Sequence, residues 1–153
     1  MPKLQESDFY FGAVLATLFK KGEGVNLFLV QQETKSRVYK IMADHTNPDD
    51  FFIFAKYRTE HNGSGSWYFN FTENEQAIIR EYLCNDGRLS LALVCGASAP
   101  STSCLCILYE DEIRQIFDVG KMSITVSRKK YKRNFYIPIG GGKSIEIPYK
   151  RLY

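Results

Sequence analysis

The chain has 153 residues, of which 44% are hydrophobic and 24% are charged, so its composition is that of one ordinary globular domain. Its 22 aromatic residues and only 11 Gly and 5 Pro exclude a disordered, collagen-like or low-complexity chain and predict an aromatic core. The net charge of +3 divides unevenly, because residues 1–120 sum to −5 and residues 121–153 sum to +8. This asymmetry predicts a basic surface near the C-terminal end.

The first predicted element is a helix over residues 8–20. Ser7 and Asp8 are candidates for its N-cap, and Gly22 follows its end. The segment is apolar nearly all round, so we expect it to be buried on most faces. Its apolar run is shorter than the roughly 20 residues of a membrane-spanning helix, and it lacks the basic start of a signal peptide. We therefore expect a cytoplasmic protein that makes no contact with a membrane.

Three strands are predicted to follow as a meander. Residues 25–31 and 37–43 are rich in β-forming side chains and flank a polar turn, which indicates a hairpin. Residues 51–58 are dense in aromatic side chains and are typical of a central strand.

A second helix is predicted after a short strand at residues 67–71. Thr72 and Glu75 have the spacing of a capping box, in which each side chain accepts a hydrogen bond from the backbone N–H of the other residue. Asn85, Asp86 and Gly87 are typical of the end of this helix, and residues 89–95 then form a predicted buried strand.

Beyond residue 96 we predict a strand at 105–109, a third helix that starts at Glu110 and ends at Gly120, and strands at 123–127, 135–139 and 144–149. The sequence contains no internal repeat. The predicted fold class is α+β, with a mixed sheet in a single domain over residues 1–153. Within it we expect a core over 1–96 and an extension over 97–153 that carries the helix and a basic hairpin.

The order helix, three strands, helix, strand over residues 8–95 resembles the αβββαβ core of PD-(D/E)xK nucleases. In that family a strand acid and an E-x-K motif bind a divalent metal that activates water against a phosphodiester. The resemblance implies Asp44 as the first acid and Lys56 as the lysine of the motif. Phe54 stands in the place of the glutamate, so the resemblance is to a degenerate member, and we expect little or no metal-dependent cleavage. A literal Glu33-Thr34-Lys35 lies in the predicted turn before the second strand.

Two other motifs have an ordinary structural interpretation. Asp44, His45, Asp49 and Asp50 could supply oxygen ligands to Mg²⁺ or Mn²⁺, but Asn47-Pro48-Asp49 is typical of a turn, which we favour. Gly140-Gly141-Gly142-Lys143-Ser144 lacks the first glycine of a P-loop and precedes a strand, so we predict a hairpin turn. We expect no cofactor, with Mg²⁺ required only if the core is active.

The four cysteines, Cys84, Cys95, Cys104 and Cys106, form no C-x-x-C pair and have no histidine at zinc-finger spacing. We interpret them as reduced and mostly buried thiols rather than as zinc ligands.

The strongest indication of a binding site is the basic segment at residues 128–133, comprising Arg128, Lys129, Lys130, Tyr131, Lys132 and Arg133. Cations that neutralise phosphates, interleaved with aromatic rings that stack on bases, suit DNA or RNA. The alternative is that these residues are only the solvated tip of a hairpin and bind no ligand. Two functions therefore remain open: a nucleic-acid-interacting protein on an inactive nuclease-like core, and a non-enzymatic module whose basic end docks an acidic protein.

Overall fold

The computed structural model describes residues 3–21, 25–43, 51–59, 65–84, 88–98, 102–118, 120, 123–129 and 132–151. It confirms an α+β fold. Three helices and nine strands follow in this order along the described chain: α1 (Glu6–Lys21), β1 (Val25–Gln32), β2 (Ser36–Ala43), β3 (Phe51–Arg58), β4 (Ser66–Asn70), α2 (Glu73–Cys84), β5 (Arg88–Cys95), β6 (Cys104–Leu108), α3 (Glu110–Asp118), β7 (Ser123–Ser127), β8 (Phe135–Gly140) and β9 (Lys143–Ile147).

The strands form two sheets. Sheet A has the order β1-β2-β3-β5-β6, with β3 and β5 parallel and every other neighbouring pair antiparallel. Sheet B is antiparallel throughout, in the order β4-β7-β8-β9. The parallel pair requires a crossover, and β4 and α2 lie within it.

Helix α1 covers one face of sheet A. Phe11, Val14 and Leu18 are buried there in a cluster that includes Ile53 and Ala55 of β3. The expectation that this helix is buried on most faces is wrong, because the side chains of Phe9 and Phe19 are 65% and 57% exposed. Sheet A supplies a surface on only one side of α1, so the apolar residues on the other side remain at the surface.

The main hydrophobic core lies on the opposite face of sheet A. It combines Phe54 and Leu91 of sheet A with Ile79 of α2, Ile113 of α3 and Phe135 of sheet B, all of them fully buried. Alternation along the strands explains this division, because successive side chains point to opposite faces of a sheet.

Strand pairing crosses the predicted division between the core and the extension. β5 pairs with β6 in sheet A, and β4 pairs with β7 in sheet B. Residues on both sides of position 96 therefore contribute to each sheet. None of the three described helices is both long and apolar enough to cross a lipid bilayer.

The glycine-rich segment forms the predicted hairpin. Gly140 at the end of β8, and Gly141 and Gly142 in the turn before β9, have φ values of 96°, 61° and 74°, a region of backbone conformation that residues with a side chain seldom adopt.

Candidate functional site

A cavity of about 290 Å³ opens at the end of β3 that adjoins the turn between β1 and β2. The start of α2 and the exposed side of β4 complete its walls. Its lining residues are Glu33, Thr34, Lys35, Lys56, Tyr57, Arg58, Tyr68, Phe69, Asn70, Thr72 and Glu75. The cavity therefore brings three cations and two carboxylates together from three separate segments, the β1–β2 turn, β3 and α2.

Lys56 and Glu75 form a buried ion pair in this cavity. The Lys56 ammonium donates to both carboxylate oxygens of Glu75 at 2.8 Å, and the two side chains are only 7% and 2% exposed. Lys56 Nζ also lies 5.4 Å from the centroid of the Phe71 ring. Glu75 therefore neutralises the lysine that the sequence assigned to catalysis.

The capping box holds Glu75 in this position. The Glu75 amide donates to Thr72 Oγ1 at 3.1 Å, and the Thr72 amide donates to Glu75 Oε1 at 3.0 Å, as predicted. One carboxylate thus accepts hydrogen bonds both from the start of α2 and from β3. This arrangement fixes the helix to the sheet.

The pKa of Glu75 lies below its ordinary value. Burial of the carboxyl favours its neutral form and acts to raise the pKa, but hydrogen bonds from Lys56 and from the Thr72 backbone, together with the charge of Lys56, outweigh that effect. Glu75 is therefore ionised at neutral pH and acts as an acceptor of hydrogen bonds, not as a proton donor.

Of the other residues of the predicted nuclease site, the structure describes Phe54 but not Asp44. Phe54 is fully buried in the main core, with its ring 6.2 Å from that of Phe71. Phe54 and Lys56 face the same side of the sheet, as alternation predicts, but the position of the family's glutamate is part of the hydrophobic core. Asp44 lies outside the described residues, as do His45, Asp49 and Asp50.

The sequence did not predict that Glu75 is the partner of Lys56. It also did not predict that Glu33 and Lys35, which lie in the turn before β2, line the same cavity as Lys56. Within the described part of the chain, no three His, Cys, Asp or Glu side chains are grouped closely enough to hold a metal ion.

The basic segment forms the connection between β7 and β8. Arg128 and Lys129 follow the end of β7, and the Lys132 amide donates to the carbonyl of Lys129 at 2.9 Å. Lys129, Lys132 and Arg133 are exposed. Lys130 and Tyr131 lie outside the described residues.

Two tyrosines, Tyr136 and Tyr149, lie beside these cations. Lys129 Nζ is 5.1 Å from the ring centroid of Tyr136, and Arg133 donates to the Tyr149 hydroxyl at 3.0 Å. Lys150 also lies over the Tyr149 ring, at 5.6 Å. We call Arg128, Lys129, Lys132, Arg133, Lys150, Tyr136 and Tyr149 the basic-aromatic cluster.

The electrostatics of the cluster are predominantly positive. Hydrogen bonding from Arg133 is the largest influence on the pKa of the Tyr149 hydroxyl and, with smaller contributions from Lys150 and from both positive charges, lowers it against the opposing effect of burial. Glu146 is the single acidic residue after position 120, and it accepts a hydrogen bond from Asn134 Nδ2 at 2.8 Å.

Comparison with protein-family models, with curated proteins and with solved structures finds no match to this chain. Functional inference therefore depends on the residues and geometry described above.

Proposed function

We propose that the protein binds nucleic acid through the basic-aromatic cluster, on a nuclease-like core that does not cleave. The observation that carries this proposal is the pairing of exposed cations with tyrosine rings at the β7–β8 connection and just after β9. Lys129 lies over Tyr136, and Arg133 and Lys150 lie over Tyr149. Cations of this kind neutralise phosphates, and rings beside them offer stacking surfaces for unpaired bases.

The order of elements supports the resemblance of the core. α1, β1, β2, β3, α2 and β5 follow the αβββαβ order, with β4 inserted before α2. Lys56 stands at the position of the family's lysine on the third strand.

The environment of Lys56 argues against cleavage. Its ammonium is already engaged by both oxygens of Glu75, and Phe54 replaces the carboxylate that would bind metal beside it. A phenyl ring supplies no lone pair to a cation, and hard divalent ions require oxygen ligands. We therefore expect no cutting of DNA or RNA with Mg²⁺ or Mn²⁺.

A salt titration tests the binding proposal. The measurement is fluorescence anisotropy of a labelled single-stranded oligonucleotide at several salt concentrations, with the parent protein and with a variant in which Lys129, Lys130, Lys132 and Arg133 are all changed to Gln. We expect the variant to bind more weakly to every sequence, and the plot of log affinity against log salt to flatten by about 0.7 for each lost contact with a single strand.

A control variant removes the same charge elsewhere, through substitution by Gln at Lys3, Lys40, Arg80 and Arg88. It should retain a salt dependence close to that of the parent. Equal binding by the parent and the cluster variant at all salt concentrations would remove the cluster from the site. Equal affinity of the parent for polyglutamate and for the oligonucleotide would favour the acidic-protein alternative.

The same samples test the core. Incubation of the parent with DNA or RNA and Mg²⁺ or Mn²⁺ should leave the substrate intact. Cutting that disappears in Asp44→Ala or Lys56→Ala would overturn the assignment of an inactive core while leaving the binding result unaffected.

A further inference from the structure

Three of the four cysteines come together on one face of sheet A. Cys95 is the last residue of β5, Cys104 is the first residue of β6, and the two are direct partners in the antiparallel pair. Cys106 lies two residues further along β6 on the same face. All three are free thiols.

The pairing of Cys95 with Cys104 meets the distance requirement of a disulfide. Direct partners in an antiparallel pair have Cα atoms about 4.5–5.5 Å apart, and disulfides span about 4.4–6.8 Å. The Cys104 sulfur lies 4.0 Å from the carbonyl oxygen of Cys95. Cys106 is paired instead with Leu93, so its sulfur is not directly opposite Cys95.

The two partners differ in access to solvent. Cys95 is fully buried, whereas Cys104 is partly exposed at the start of its strand. A dissolved oxidant can therefore reach Cys104 before it reaches Cys95.

They also differ in acidity. A hydrogen bond from Cys95 is the largest influence on the pKa of Cys104. Together with the hydrogen bond and the positive charge of Arg128, it outweighs the effect of burial and lowers this pKa to about 6. Burial is the main reason that the pKa of Cys95 is raised well above its ordinary value. The charged groups that act on the three thiols are Arg128, on Cys95 and Cys104, and Glu112 and Arg151, on Cys106. Cys104 is thus the thiolate of the pair, and Cys95 is its neutral partner.

We propose that Cys95 and Cys104 form a peroxide-sensitive thiol pair, in which a hydroperoxide oxidises Cys104 and Cys95 then closes a disulfide between β5 and β6. This inference does not depend on nucleic-acid binding.

The reaction balances in two steps. The Cys104 thiolate attacks one peroxide oxygen, the O–O bond breaks, and the leaving oxygen takes a proton as water or an alcohol, which leaves Cys104 as a sulfenic acid. The Cys95 sulfur then attacks the Cys104 sulfur, the S–O bond breaks, and the departing hydroxide combines with the Cys95 proton as water. In total, two thiols lose two electrons and two protons, and one hydroperoxide is reduced.

Alkylation of the unmodified protein provides the first test. Limited iodoacetamide treatment of the native protein at pH 6.5, followed by peptide mass spectrometry, compares Cys104 with Cys84, which is exposed on α2. We expect Cys104 to be labelled faster, although exposure alone would favour Cys84. Faster labelling of Cys84 would overturn the proposal.

Substitution near the pair tests the role of the cation. Arg128→Gln should slow the alkylation of Cys104, whereas Lys129→Gln, which removes the same charge one residue away, should leave the rate close to that of the parent. Equal rates in all three proteins would contradict the assignment of Cys104 as the stabilised thiolate.

Peroxide treatment tests the disulfide itself in a Cys84→Ser background, which removes the exposed thiol. We expect a cross-linked peptide that joins Cys95 to Cys104 and is two hydrogen atoms lighter than the separate peptides. Adding Cys95→Ser should leave a sulfenic acid on Cys104 that dimedone traps, and circular dichroism verifies that each variant is folded. A disulfide to Cys106, or no oxidation of Cys104, would refute the proposal.

Discussion

Lys56 and Glu75 are both almost completely buried, so each charge depends on the other for stabilisation. Breaking a buried pair by removing one partner leaves an uncompensated charge in a poorly polarisable environment and costs about 3–5 kcal/mol. We therefore expect Lys56→Met and Glu75→Gln each to lower the free energy of unfolding by an amount of that order, measured by urea denaturation. Glutamine retains an oxygen that can accept from the Thr72 amide, so this change tests mainly the charge.

The double variant separates the pair from the individual positions. Because neither charge remains, its loss of stability should be smaller than the sum of the two single losses by about 1–3 kcal/mol. Strict additivity would show that the two side chains do not depend on each other.

Glu75 also predicts a dependence of stability on pH. Its folded-state pKa is lowered, so the unfolded chain binds its proton more readily and the folded state is stabilised above the ordinary pKa of glutamate, about 4.3. That contribution is lost as the pH falls through the lower folded-state pKa. Urea midpoints measured between pH 6 and pH 3 should fall more steeply for the parent protein than for Glu75→Gln. Parallel curves would exclude Glu75 as a source of the acid sensitivity.

At the scale of elements, local signals in the sequence were sufficient to predict most helices and strands. Thr72 and Glu75 predicted the start of α2 because a capping box operates over three residues. The same sequence did not predict that Glu75 reaches Lys56, because that contact joins residues 19 apart through the packing of α2 on β3. The burial of α1 was overestimated for a related reason: its apolar pattern does not reveal how many neighbours the fold supplies.

Gly96 directly follows β5 and is hydrogen-bonded to the last residue of β3 and to Trp67 of β4. Its amide donates to the Arg58 carbonyl at 2.8 Å, and its own carbonyl accepts from Trp67 Nε1 at 2.8 Å. A Cβ atom at this position would lie 2.6 Å from the Arg58 oxygen and 2.7 Å from the Thr59 oxygen. These are backbone atoms, so they cannot move aside as a flexible side chain can.

We therefore expect Gly96→Ala to destabilise the protein by about 1–3 kcal/mol through overpacking, measured by thermal or urea unfolding. Gly12→Ala is the matched control, since a Cβ there meets no atom within 4 Å and the residue lies inside α1. In the control, alanine should stabilise the helix by about 0.5–1 kcal/mol. A neutral effect at Gly96 would show that β3 and β5 separate easily at this end.

At the scale of the whole molecule, the two sheets share one core. Trp67 and Phe69 of β4 and Val126 of β7 are buried in the same cluster as Phe54 and Leu93 of sheet A. β4 precedes position 96 in the chain, while its partner β7 follows it. A fragment that ends at position 96 would lose β7, which pairs with β4, and β6, which pairs with β5. Neither sheet can therefore form completely without the later residues.

This shared core predicts that the protein unfolds in one cooperative transition. Trp67 is the single tryptophan and lies in β4, so its fluorescence reports on sheet B and on the contact with Gly96, whereas far-UV circular dichroism reports on all helices and strands. We expect both signals to give the same urea midpoint, and Gly96→Ala to shift both midpoints together. If the fluorescence changed at a lower urea concentration than the dichroism, sheet B would be a separate and less stable unit. The basic-aromatic cluster would then belong to a part of the protein that can unfold while sheet A stays folded.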